Sequence, residues 1–400
     1  MNVKNVILVI LMMTFALTNI SCGKAPQYEI TDLGTLGGIG ISVTGLNDAG
    51  QVLVRSHTPN GEQHGFFWDR ASRMVDLGTL GGDRTFVSAI NNSGQVVGSS
   101  KTVKDNMHAF FWESSKGMID LGTLGGETSF ASGLNESGQV VGRSTNSNGN
   151  EHAFIWTNAH GMIDLGTLGG SESSAMAINE SGQVAGTAKD SSGKKHIFLW
   201  DNDRGMIDLG LIGDIVENLD INNKGQVIVG WTKISSGEFH AFFWDSNTEL
   251  TDLGTFGGET SFASGINSAG QIAGWAETKF PPRRRAFIWD SVKGMVNLGT
   301  LSMFDGSPLL DNNSMASGIN DAGQVVGASG SKFTETFGRA NAWLRDNRRG
   351  MMKLQDLLID DSGWKNLVSA QYINNRGQIA GFGETDNGED HAFLATPVNQ

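Results

Sequence analysis

Hydrophobic residues along this chain arrive in short runs, with polar punctuation at fixed places between them. "SFASGLN" (Ser129–Asn135), "GQVVGRS" (Gly138–Ser144), "HAFIW" (His152–Trp156) and "GMIDLGTL" (Gly161–Leu168) are rich in Val, Ile, Phe and Trp and bounded by Gly, Asn and Ser. Runs of this length and make-up predict β-strands, and no segment carries a sustained helical period. We label the four a, b, c and d. Between a and b, Asn135-Glu136-Ser137-Gly138 predicts a type I turn closed by a glycine at positive φ.

The set then repeats. The DLG of strand d stands at Asp32, Asp76, Asp120, Asp164, Asp208 and Asp252, and in altered form at Asn297 and Lys353. The NxxGQ turn begins at Asn47, Asn91, Asn135, Asn179, Asn222, Asn267, Asn320 and Asn374. HAFxW starts at His64, His108, His152, His196, His240 and His391, and is altered at Arg285 and Asn341. Each marker occurs eight times, and four strands in about 44 residues predict a propeller blade.

The residue two before the asparagine is small in six copies: Gly45, Ala89, Gly133, Ala177, Gly265 and Gly318. Small residues suit a strand crowded against an axis, so strand a is expected innermost. The chain starts with a d-type strand, "YEITDLGTL" (Tyr28–Leu36), and finishes with a, b and c. The expectation is therefore all-β: an eight-bladed β-propeller of four-stranded blades over residues 28–397. Its last blade would be closed by the N-terminal strand, which leaves no unpaired edge. Seven blades is the alternative.

Composition adds compartment and partners. The 400 residues are 38% hydrophobic, enough for a large core, and the formal charge of −13 argues against nucleic acid. Lys4 precedes an apolar run, Val6 to Leu17, too short to span a bilayer but suited to a signal peptide over residues 1–21. Cys22, the one cysteine, follows in "NISCGK" as in a lipobox, with Asn19 where an aliphatic residue is usual. Residues 22–27 then serve as a short anchor linker. An exported, lipid-anchored monomer of the cell envelope is expected, attached to the membrane through its lipid only and without a disulfide.

The units "HAFFWxxxxGMxDLGTLGG" and "INxxGQVVG" resemble the bacterial extracellular HAF repeats, named for the tripeptide seen at His108-Ala109-Phe110. The final unit, from "DSGWKNLVSAQYINNRGQIAGFG" through "HAFLATP", is similar to the closing unit of such proteins. The likeness covers about residues 30–397. It implies export and no particular activity.

A motif copied six to eight times occupies symmetry-related places, whereas an active site needs one asymmetric constellation. The repeated residues are therefore read as framework. Asp76 and Asp120 are expected to accept hydrogen bonds from nearby turns, and Trp68, Trp112, Trp156, Trp200, Trp244 and Trp289 to pack between sheets. Histidines on strand c lie too far apart to share one zinc ion, and NxxG lacks the carboxylates of a calcium loop. GxSxG, HExxH and P-loop patterns are absent. No metal, no cofactor and no catalytic residue is assigned, and an enzyme is disfavoured.

Departures from the repeat carry the functional reading. Alternating strands put the b–c and d–a loops on one face, and the irregularities fall there. "TKFPPRRR" (Thr278–Arg285) in blade 6 offers Phe280, Arg283, Arg284 and Arg285. The connection entering blade 7 adds Phe304 and Asp305; its b–c loop adds Phe333 and Phe337; the entry to blade 8 adds Trp364. Aromatic residues with arginine suit a glycan or protein contact. "GDIVENLD" adds Asp214, Glu217 and Asp220, expected at the mouth of the central channel. The reading is a binding module for glycan or protein; a polysaccharide hydrolase or lyase, or a purely structural envelope protein, are the alternatives.

Overall fold

The computed structural model describes residues 25–38, 40–213, 215–302, 313–330 and 340–398. Thirty-two strands in them form eight four-stranded antiparallel meanders. Blade 3 is typical, with Gly125–Leu134 as strand a, Val140–Asn146 as b, Glu151–Thr157 as c and Gly161–Asp164 as d. Blades 1 to 7 cover 41–76, 81–120, 125–164, 169–211, 216–252, 257–297 and 313–353. Blade 8 takes a, b and c from 364–397, and its outer strand is the N-terminal Tyr28–Gly34. Tyr28 to Gly34 pair antiparallel with Pro397 to Ala392, so the ring closes through the expected split blade.

The a strands touch one another around the whole ring and therefore line its axis. Each pair of neighbouring blades shares one hydrophobic core. Between blades 2 and 3 it holds Val97, Phe111, Leu121, Ala131, Val140 and Phe154, and between blades 8 and 1 it holds Leu33, Val54, Phe66 and Leu394. The HAFxW tryptophan reaches back to the preceding blade: Trp112 lies 5.3 Å from Phe67, Trp156 5.7 Å from Phe111 and Trp289 5.0 Å from Phe243, ring centre to ring centre.

DLGTLGG is the strap from one blade to the next. In the copy at Asp120–Gly126, the Leu121 amide prolongs strand d by donating to the Ala109 carbonyl at 2.9 Å, and its side chain enters the inter-blade core. Thr123 ties the turn to the Gly126 carbonyl at 2.8 Å, and the Leu124 amide donates to Ser144 Oγ of the next blade at 2.9 Å. Asp120 accepts the Gly122 amide at 2.8 Å and pairs with His108 Nδ1 at 2.9 Å.

The same His–Asp pair recurs at 2.7–3.0 Å for His64–Asp76, His152–Asp164, His196–Asp208, His240–Asp252 and His391–Asp32. Blades 6 and 7, with Arg285/Asn297 and Asn341/Lys353, have lost both partners together. The histidine is thus a brace between strands c and d, as its repetition suggests.

Candidate functional site

Two openings lie on the axis, and they differ in kind. At the a–b face, each NxxGQ asparagine ties its own turn, its side-chain oxygen accepting the backbone amide four residues on and, in six of the eight, also the amide two residues on. Its Nδ2 donates to the asparagine carbonyl of the next blade. The chain Asn47→Asn91→Asn135→Asn179→Asn222→Asn267→Asn320→Asn374→Asn47 is complete, at 2.8–3.1 Å per step. An outer ring follows it: carboxylates of Asp48, Glu136 and Asp321 accept the amides of Asn375, Asn92 and Ser268 at 2.9–3.1 Å. This mouth, about 360 Å³, is walled by polar groups already engaged in holding the blades together.

The opposite mouth, on the face of the b–c and d–a loops, opens into a cavity of about 590 Å³. Blade 8 supplies Ser369, Gln371 and Tyr372, while blades 5, 6 and 7 supply Asn218, Ser264 and Ser317. Met315 and Phe382 give it apolar patches, and Asp390 is the one carboxylate among the described residues lining it. Asn218 sits at φ 55° and donates to the Ala263 and Ser264 carbonyls at 2.9 and 3.1 Å; Ser264 Oγ donates to the Ala316 carbonyl at 2.7 Å. These two groups are spent on blade contacts. Gln371 Oε1, by contrast, is buried and has no hydrogen-bond partner among the described residues.

Tyr372 stands two before Asn374, where six blades carry Gly or Ala. Its exposure of 36% is toward this cavity, while protein surrounds it otherwise, and that burial raises its hydroxyl above the ordinary value of 10. The tyrosine was visible in the repeat alignment as an exception to the small-residue rule, beside Asp220, but sequence reasoning passed over it.

The expected site residues divide. Phe280 is 90% exposed on its loop, and Arg283 is half-buried beside it. Arg284 and Arg285 correct the expectation of a loop arginine cluster, because the strand Arg284–Asp290 begins with them. Arg284 stacks over the Trp275 ring at 4.3 Å, and its amide donates to Asn313 Oδ1 at 3.0 Å. Arg285 takes the position of the repeat histidine and donates to the Arg284 carbonyl at 3.0 Å. Trp364 is a second correction: it is buried, edge-on to Phe393 at 5.9 Å, because its strand runs inward to fill the core between blades 7 and 8.

Glu217 is exposed on strand a of blade 5. Asp220 lies within the channel wall, its carboxylate accepting the Ile221 amide at 2.8 Å and the Ile266 amide of blade 6; burial raises it above the ordinary 3.8. Cys22, Asp214, Phe304, Asp305, Phe333 and Phe337 lie outside the described residues. Among the described residues, no group of three or more His, Cys, Asp or Glu could hold a metal ion.

No family model matches the chain, and no curated protein matches it. Solved propellers do. The β-propeller domain of the trilobed protease from Pyrococcus furiosus, described as having an open velcro topology, aligns at TM-score 0.45 and 11% identity, covering 79% of this chain and 98% of that one. The BP39L lectin of Burkholderia pseudomallei aligns at 0.40 and 10%, covering 82% and 97%. A puromycin-hydrolyzing peptidase of Mycobacterium tuberculosis aligns at 0.48 and 12%, covering 92% and 61%. The chain is a β-propeller on its own evidence, the eight meanders and their closed ring.

Proposed function

We propose that this protein is an exported, lipid-anchored binding module whose ligand enters the cavity at the loop-bearing mouth of the channel. The observation that carries the reading is that cavity of about 590 Å³, set where blade 8 breaks the symmetry with Gln371 and Tyr372. Its size is that of a ligand pocket, and its lining combines apolar patches with a few polar groups that can fix an orientation. Glycoside hydrolysis by paired carboxylates needs two such groups across the scissile bond, and Asp390 stands alone among the described lining residues. Binding is therefore favoured over hydrolysis. A glycan end is the favoured ligand; Phe280, 90% exposed at the same face, favours a protein partner at the rim as the second reading.

Export, the lipid at Cys22 and kinship with the HAF repeats are proposed from the apolar run at Val6–Leu17 and the repeat motifs. In this proposal Phe280 and Arg283 are outer contacts, and Phe304, Asp305, Phe333 and Phe337 are ligand contacts proposed from the sequence alone. The test is a glycan array probed with the detergent-solubilised full-length protein and with Ser317→Trp, which fills the cavity from blade 7. Binding lost in that variant supports the site; equal binding moves it elsewhere. Incorporation of a palmitate analogue by the wild type, abolished by Cys22→Ser, is expected if the anchor is present.

A further inference from the structure

Resting on that reading of the cavity, we infer that its ligand is the neutral, hydroxyl-bearing end of a glycan, recognised by Gln371 and Tyr372, and that uronate or sulfated ends are rejected. A buried polar atom without a partner costs roughly 1–3 kcal/mol, so Gln371 gains when its side-chain amide turns and brings the buried, unpartnered Oε1 to a donor in the cavity. A sugar hydroxyl is such a donor. Tyr372 can offer its own hydroxyl beside it, and its ring presents a flat apolar face of the kind that covers the CH side of a sugar.

Charge decides the class. Asn218 and Ser264 have their donors committed to neighbouring blades, which leaves Ser42, Ser317, Ser369, Gln371 and Tyr372 as the uncharged polar side chains among the described lining residues. Asp390, the one charged group among the described lining residues, is negative. The Arg284 guanidinium is turned onto Trp275 at 4.3 Å and donates to the sulfur of Met315 at 3.8 Å. A carboxylate or sulfate entering here would lose its water and meet no cation among the described lining residues, which is strongly unfavourable.

The experiment compares matched neutral, uronate-bearing and sulfated oligosaccharides by titration into the full-length protein in detergent. Neutral ends should bind at least tenfold more tightly than anionic ones. Gln371→Leu should weaken neutral binding about tenfold, the loss of one hydrogen bond with its desolvated partner. Gln371→Glu should weaken it further as pH rises through the carboxylate range. Anionic sugars that bind as well as neutral ones, or Gln371→Leu that binds undiminished, would overturn the inference. Failure of the cavity itself reads differently: binding would then survive Ser317→Trp, and also Ser42→Trp, which obstructs the same space from blade 1. Absence of binding to any sugar in the folded wild type overturns both.

Discussion

The side-chain amide of Asn374 donates to the main-chain carbonyl of Asn47, 2.8 Å away and 327 residues earlier in the chain. That bond is the eighth and last of a ring in which every blade holds the next by the same atom pair. Its geometry explains why the turn needs asparagine. Two donors are used on Nδ2, one to the neighbouring blade and one to the local glutamine, as in Asn135 to Asn179 O and Gln139 Oε1. The oxygen accepts from the turn itself, as from the Gln139 amide.

Asn135→Ala should therefore cost about 1–3 kcal/mol in urea unfolding, from buried backbone groups left unpaired. Asn135→Asp should cost more at neutral pH, because a carboxylate would face two acceptors. The gap between the two variants should narrow as the pH is lowered and the aspartate gains a proton. Equal stability of Ala and Asp at pH 7 would refute the clasp.

Closure makes a second prediction. Tyr28 is 1% exposed in the core between blades 7 and 8, so Tyr28→Ala should cost about 3–5 kcal/mol, as other large-to-small core changes do. Deleting residues 22–37 should also bare the edge of Asp390–Pro397 and drive association, read by size-exclusion chromatography. A truncated protein that stays monomeric with unchanged melting counts against the seam.

Two glycines, one on strand b of blade 3 and one on strand a of blade 6, should behave oppositely. A Cβ on Gly142 would lie 1.9 Å from the Phe130 carbonyl oxygen, a backbone atom that cannot withdraw. At Gly265 a Cβ would meet nothing within 4 Å. Gly142→Ala is expected to cost about 3 kcal/mol or more, and Gly265→Ala to stay within about 0.5 kcal/mol of the wild type. Thermal melts of the pair suffice.

Asp220 supplies a pH dependence. Its folded pKa is raised by burial, so the folded state holds the proton more tightly than the unfolded chain does. Stability from this group is then present below the ordinary value of 3.8 and is lost as the pH climbs through the raised folded value. Asp220→Asn keeps an oxygen acceptor for the Ile221 amide without the charge. Its Tm should exceed that of the wild type at pH 7, and the difference should shrink toward pH 3.5. A lower Tm for the variant at pH 7 would mean that the carboxylate is stabilising where it stands.

The propeller was legible because each strand is short, bounded by turn residues and copied, so eight weak signals reinforce one another. The phase offset, with Tyr28–Gly34 of type d, disclosed the seam. What repetition hides is direction in space. NxxGQ reads as a turn, and nothing in one copy says that Asn135 reaches Asn179. The His108–Asp120 brace left a trace that could have been followed, since the two letters disappear together at Arg285/Asn297 and at Asn341/Lys353. Trp364 was misread because a residue next to an irregular loop looks exposed, whereas its strand turns it inward onto Phe393. Gln371 and Tyr372 leave no insertion in the repeat, because the break that shapes the cavity is a substitution within strand a.

The split blade also sets an order of events. Pairings inside blades 1 to 7 join residues a few dozen positions apart, whereas His391 must find Asp32 across 359 residues. Loop-closure entropy grows as the logarithm of length, so this contact is about 2 kcal/mol harder to close than one spanning a single 44-residue unit. A ribosome releases Tyr28–Gly34 long before their partner Asp390–Pro397. During synthesis Tyr28–Gly34 waits with one bare edge for the whole ring to be made, and a chain interrupted anywhere before Asp390–Pro397 has nothing to fasten it.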